Sequence, residues 1–207
     1  MQLSLWLTLV GAGTLISFTP GAGAINTMSN SLNAGFRRSI WGILGQQMAL
    51  LVHIIIVALG VGLLVVSSPL AFNVIRYSGA AYLVYLGIRQ FLAKPAMDDA
   101  SVRTRRSEPR WSMFRRGLWV NLLNPKAIVF FFAFLPQFIR LDQPVMMQYV
   151  VAATTFVIID VLIMWFFFAG MAQSFQRFTK NPQGQRVVNR VFGVLFVGVG
   201  VVLALLH

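Results

Sequence analysis

Cysteine is absent from this chain, acidic residues number five, and the only histidines are His53 and His207. Without cysteine there is no disulfide, no thiol nucleophile and no thiolate metal site. Two histidines cannot build a histidine-rich metal centre. Charged residues make up 11% of the sequence, against roughly 25% in soluble domains. No Gly-x-x-x-x-Gly-Lys-Ser/Thr phosphate loop occurs, which argues against nucleotide-driven work. An enzyme buried in a membrane would need clustered nucleophile, base or metal ligands. Asp160 and His53 have no visible third member, so neither catalysis nor a cofactor is expected.

Apolar sequence is what the chain has in abundance. Of its 207 residues, 57% are hydrophobic, and several apolar runs exceed the length of about 18 residues that marks a membrane span. The expected class is an all-α integral membrane protein. At about 20 residues per span, six helices nearly exhaust the length and leave no room for a soluble catalytic domain. Residues 3–18 followed by Ala22-Gly23-Ala24 resemble a cleavable leader. Met1-Gln2 carries no positive charge before the run, so the run is read as a retained span.

The net charge of +12 would suggest nucleic acid in a soluble protein. Here the basic residues sit in loops between apolar runs, where topology and anionic lipid headgroups account for them. Three apolar segments occupy residues 1–93 and three occupy residues 117–207, with a hydrophilic basic linker at 94–116. Fourteen Lys and Arg fall in the loops after segments 1, 3 and 5, whereas Arg76 and Arg140 alone fall on the other side. That bias places the basic loops in the cytoplasm and both termini outside. An odd number of spans per half then gives two inverted three-helix repeats. Small residues at Gly79-Ala80-Ala81, Gly87, Gly193, Gly198 and Gly200 suit close helix packing.

Two apolar segments, the first and the fourth, are interrupted by proline. One break is Thr19-Pro20-Gly21-Ala22-Gly23 and the other is Asn124-Pro125-Lys126. Proline removes a backbone donor and clashes with the preceding turn. In a bilayer the freed backbone groups must be buried in protein or face a wet cavity. Matching breaks in two halves of a chain point to a transport site. Pro20 precedes Arg37 by 17 residues and Pro125 precedes Arg140 by 15, so both lie roughly 22–26 Å from the end of their helix. The half-helix after Pro20 is polar, with Asn26, Thr27, Ser29, Asn30, Ser31 and Asn33, and should face a cavity rather than lipid.

The sequence Ser17-Phe18-Thr19-Pro20-Gly21-Ala22-Gly23-Ala24-Ile25-Asn26-Thr27-Met28 resembles the first-helix signature of the LysE/RhtB amino-acid exporters. Ser78 to Gly87 resembles their third-helix motif, and Gly117 to Ala127 with Phe134-Leu135-Pro136-Gln137-Phe138 resembles their fourth. The resemblance spans the whole chain. Many members carry Pro-Gly-Pro where this chain has Pro20-Gly21-Ala22, and this version looks most like the members that export homoserine and its lactone. It implies export of small amino acids, including homoserine, its lactone and threonine, across the bacterial inner membrane, driven by the proton motive force. Basic amino acids, a cation or passive channel flux are the competing cargoes and modes on the same scaffold.

An exported amino acid is a zwitterion. A broken helix offers N–H groups for its carboxylate and C=O groups for its ammonium. The candidate substrate residues are therefore Thr19, Pro20, Gly21, Gly23 and Asn26 at the first break and Asn124, Pro125 and Lys126 at the second. Asn124 fits a helix cap and Pro125 a first helical position. Asp160 is the acid placed well inside an apolar segment, where a carboxylate costs roughly 2.5–3.5 kcal/mol. It can bind the ammonium, carry the coupling proton or pair with Lys126. His53, two turns after Gln46 on one helix face, is a second candidate for proton relay. The expected partners are a small amino acid, protons and lipids, with no nucleic acid. Six helices around one cavity make a thin scaffold, which a homodimer would thicken.

Overall fold

The computed structural model describes residues 2–61, 68–93, 108–140, 142–179 and 181–205, and all of its regular elements are helical. Helix α1 (Leu3–Phe18) stops at the first proline break and α2 (Ala22–Ala34) resumes beyond it, bent by 57°. Gly35, at φ 94°, turns the chain into α3 (Phe36–Ile56), which runs on as a π-helical turn at Val57–Val61. That backbone angle lies in the region glycine tolerates best. Helix α4 spans Pro69–Phe91. Helices α5 (Arg110–Leu122) and α6 (Pro125–Val129) form the second bent pair, at 53°. A π turn (Phe130–Phe134) and a 3-10 turn (Leu135–Phe138) complete that span. Helix α7 (Val145–Leu162) continues as a π turn to Ala169, and α8 (Ala172–Thr179) and α9 (Pro182–Leu205) finish the chain.

Two boundaries differ from expectation. Residues 94–107 of the expected linker lie outside the described residues. Its last part, from Arg110, is already helix α5: after Pro109 the stretch Arg-Trp-Ser-Met-Phe-Arg-Arg contains no breaker, so the helix extends out of the apolar run. The basic loop expected after the fifth apolar segment holds α8 and the first turns of α9. Pro182 sits at the first position of α9, where its missing N–H costs nothing.

The helices α3, α7 and α9 are each long and apolar enough to cross a membrane, and each bent pair qualifies when taken together. Backbone-to-backbone packing depends on glycine at two crossings. A Cβ on Gly87 would lie 2.7 Å from the Gly193 carbonyl oxygen, and one on Gly200 would lie 2.9 Å from that of Ala80. These contacts lock α4 against α9. Gly117 of α5 faces the Gly42 carbonyl of α3, and Gly45 faces that of Phe114. Gly198, expected on the packing face, has nothing among the described residues within 4 Å of such a Cβ and faces away. Arg76 is buried and donates to the Leu203 and Ala204 carbonyls at 3.0 and 2.5 Å, a cation on the negative end of α9.

The ends that bear basic residues gather together. Arg38 donates to the Glu108 carbonyl at 2.7 Å, Ser31 to that of Ala169 at 2.7 Å, and the Trp165 ring stacks on Phe36 with centroids 5.6 Å apart. The apolar core at the level of the breaks is an aromatic pack of Phe130, Phe131, Phe134 and Phe156.

Candidate functional site

The first break is shaped by its own chemistry. Thr19 ends α1: its N–H reaches back to the Leu15 and Ile16 carbonyls and its hydroxyl donates to that of Leu15 at 2.7 Å. Pro20 has no N–H to continue the ladder. The last carbonyls of α1 therefore need partners from elsewhere. Helix α2 starts at Gly21 with no side-chain cap. At the second break the Asn124 side chain accepts the Lys126 backbone N–H at 3.1 Å, with Pro125 at the first helical position.

Lys126 joins the two breaks. Its ammonium, on a residue only 8% exposed, donates to the Ile16 carbonyl at 3.1 Å and to the Thr19 carbonyl at 2.6 Å. It therefore sits on the negative end of the α1 dipole. Asp160 of α7 is held by two donors, Ser17 Oγ at 2.9 Å and Gln47 Nε2 at 2.7 Å. Lys126 and Asp160 line one cavity, yet the described residues show no ion pair between them. The salt bridge weighed for them is absent because the lysine is spent on carbonyls and the carboxylate on neutral donors.

That cavity contains about 50 Å³ in which the centre of a water-sized sphere can sit. At roughly 10–15 Å³ per water on that measure, it has room for a few waters or a small polar solute. Around the two charges stand Ser17, Gly23, Gln46, Asn121 and Asn124, and the apolar wall is built from Leu50, Phe130, Phe131, Phe156 and Met164. Phe130 and Phe131 sit in one π turn and Met164 in another, irregularities that recur at functional sites.

Of the residues singled out from sequence, Gly23, Asn124, Lys126 and Asp160 line the cavity. Thr19 contributes its carbonyl to Lys126, and Gly21 packs against the lysine: a Cβ there would lie 3.4 Å from Cε. Pro20 and Pro125 break the helices without lining the cavity. Asn26 is drawn away from it, its Oδ1 accepting from Arg116 Nε at 3.0 Å. His53 also lies outside the cavity, with Nε2 3.2 Å from the Leu122 carbonyl and its ring between Phe131 and Phe132. Neither neighbour offers a proton path.

Gln46 and Gln47 are neighbours in sequence, so on a helix they face different directions. The structure uses both, about 100° apart on α3. Gln46 donates to the Gly23 carbonyl and Thr27 Oγ1, each at 3.1 Å, and Gln47 serves Asp160. Ser17 and the aromatic wall were missed. A serine within an apolar helix, a turn before a proline, was their only signal.

A bent-helix, all-α membrane protein with a charged cavity at two proline breaks is the architecture of a translocator rather than of an enzyme. The chain belongs to the LysE type translocator family, which it matches over residues 14–207. It is 40% identical over 204 residues to a homoserine/homoserine lactone efflux protein of Salmonella typhimurium, covering 99% of this chain and 98% of that one. It is 36% identical over 204 residues to an uncharacterized membrane protein of Vibrio cholerae, with the same coverage. A third relative, the uncharacterized membrane protein YrhP of Bacillus subtilis, is 30% identical over 203 residues, covering 94% of this chain and 96% of that one. No solved structure matches the chain.

Proposed function

We propose that this protein exports small neutral amino acids, homoserine, its lactone and threonine among them, from the cytoplasm across the bacterial inner membrane in exchange for protons. The observation that carries this reading is the presence of one buried cation, Lys126, and one carboxylate, Asp160, on the wall of a single small cavity at two helix breaks. A zwitterion needs both charges, and the low dielectric around Phe130, Phe131 and Phe156 strengthens each interaction. The family match and the printed name of the Salmonella relative support the cargo class.

In this reading α4 counts as a span, which makes six in two inverted halves, residues 1–93 and 117–207. The basic ends that meet at Arg38, Glu108 and Phe36 lie in the cytoplasm and both chain termini outside, as the charge bias requires.

Asp160 carries the proton. Its partner Gln47 suits both protonation states. The amide N–H₂ donates to the ionised carboxylate, while the buried Gln47 Oε1, unpartnered among the described residues, can accept from the protonated one after a flip. One proton moving through 100 mV supplies about 2.3 kcal/mol, enough for roughly a 45-fold cargo gradient.

The test is efflux from proteoliposomes loaded with homoserine, its lactone, threonine or lysine, with and without an imposed proton gradient. Gradient-dependent efflux of the first three is expected. Efflux indifferent to the gradient means a channel, and efflux of lysine alone means a different cargo class.

A further inference from the structure

The two acceptors under the Lys126 ammonium are main-chain carbonyls at the negative end of α1, Ile16 O at 3.1 Å and Thr19 O at 2.6 Å. Ser17, between them in sequence, donates to Asp160. Carbonyl oxygens beside a carboxylate are what the ammonium of an amino acid requires. In this structure a lysine of the protein itself is already seated there, and no carboxylate oxygen of the described residues comes within 4 Å of it, Asp160 standing elsewhere on the cavity wall.

We propose that Lys126 is a resident ammonium. It fills the carbonyl seat when no cargo is bound, and a cargo carboxylate draws it off so that the cargo's own ammonium takes its place. This rests on reading the cavity as the cargo site. The lysine has somewhere to go. It lines the cavity it would swing into, and on its other flank Gly21 adds no side chain of its own.

The exchange makes Lys126 a selectivity device. Homoserine brings one ammonium and one carboxylate. The first replaces the lysine on the seat and the second pairs with it, so the cavity gains no net charge. Homoserine lactone keeps the amine but has no carboxylate. Nothing on it draws the lysine away, and its cation must enter beside another cation. Repulsion between like charges in a low-dielectric site is strong, so Lys126 favours the zwitterion over the lactone.

The experiment compares full-length wild type with Lys126→Met in proteoliposomes, measuring initial rates for homoserine and homoserine lactone side by side. The ratio of lactone to homoserine transport should rise at least tenfold, because the seat is vacated and the carboxylate partner is lost. If Lys126→Met does not fold, Lys126→Gln carries the test. Its neutral side chain, one atom shorter than lysine's, removes the ammonium and leaves the cargo carboxylate no cationic partner, so the same shift is expected. An unchanged ratio in a variant that folds overturns the exchange. If wild type moves neither compound, the cargo reading of the cavity fails first, which is a distinct result.

Discussion

The Lys126 ammonium lies 2.6 Å from the Thr19 carbonyl oxygen, so the break in one half of the chain is closed by a residue from the break in the other. Each interrupted helix leaves backbone groups without intrahelical partners. The side chain just past the second interruption satisfies those of the first. Two kinks that would each be costly in lipid become one polar centre.

Asn124 sets where that lysine starts. Its side chain caps the half-helix whose second residue is Lys126. Asn124→Ala should cost about 1 kcal/mol, the usual worth of such a cap. In detergent that is a fall of a few degrees in melting temperature. Asn124→Ser, a neutral residue that caps nearly as well, should restore most of the stability. Equal melting temperatures for wild type and the alanine variant would show that the cap is idle.

Asp160 and His53 divide sharply in what they should do. Asp160→Asn keeps a side chain that can still meet Ser17 and Gln47, so the protein should fold, while gradient-driven homoserine efflux falls at least a hundredfold. His53→Gln alters a group outside the cavity and should leave gradient-driven efflux within about threefold of wild type. Proton-driven efflux retained by Asp160→Asn would sink the coupling role, and efflux lost in a folded His53→Gln would move it to the histidine.

Glycine at the α3–α5 crossing gives a test of the fold alone. A methyl group on Gly117 would run into the Gly42 carbonyl, and one on Gly45 would lie 2.8 Å from the Leu118 amide nitrogen. Neither obstacle is a flexible side chain. Gly117→Ala should destabilise by roughly 1–3 kcal/mol, the range for overpacked sites. Gly198→Ala meets nothing within 4 Å and should be neutral or mildly stabilising, since alanine is the better helix former. Thermal unfolding of the two purified variants separates these outcomes.

What the sequence made legible was local. Proline's missing donor marks both breaks wherever it falls, and an acid inside an apolar run identifies Asp160 without any neighbour. What stayed hidden depends on residues far apart in the chain. Gln47 and Ser17 reach Asp160 from two other helices, and helical spacing alone does not say which glutamine turns which way. Pairing of Lys126 with Asp160 was one expectation from sequence; the unsatisfied carbonyls of α1 claimed the ammonium instead. Arg116 read as one loop charge among many, because nothing local shows that α5 begins early enough to carry it onto α2.

Arg116 yields the last prediction. It donates from Nε to Asn26 Oδ1 at 3.0 Å and from a terminal nitrogen to Asn30 Oδ1, and it pairs with Glu108 at 2.9 Å. Asn26 and Asn30 are buried on α2, so one guanidinium pins the polar half-helix to α5 at the end that gathers the basic residues. Thr27 is fully buried behind that clamp and accepts from Gln46, which lines the cavity. An opening between α2 and α5 on the way from that end to the cavity would break these bonds. The Arg116 side chain is 42% exposed, so solvent screening holds each bond to about 1 kcal/mol or less, and removing all of them together should shift the opening equilibrium measurably. The chain has no cysteine, so a single Thr27→Cys reports on its own. Its reaction with a membrane-impermeant maleimide, added from the basic-loop side of inverted vesicles, should be slow. Adding Arg116→Ala should speed it at least tenfold, whereas Arg115→Ala, at a neighbouring exposed position, should leave it unchanged. Equal labelling rates with and without Arg116 would mean that the clamp does not govern access.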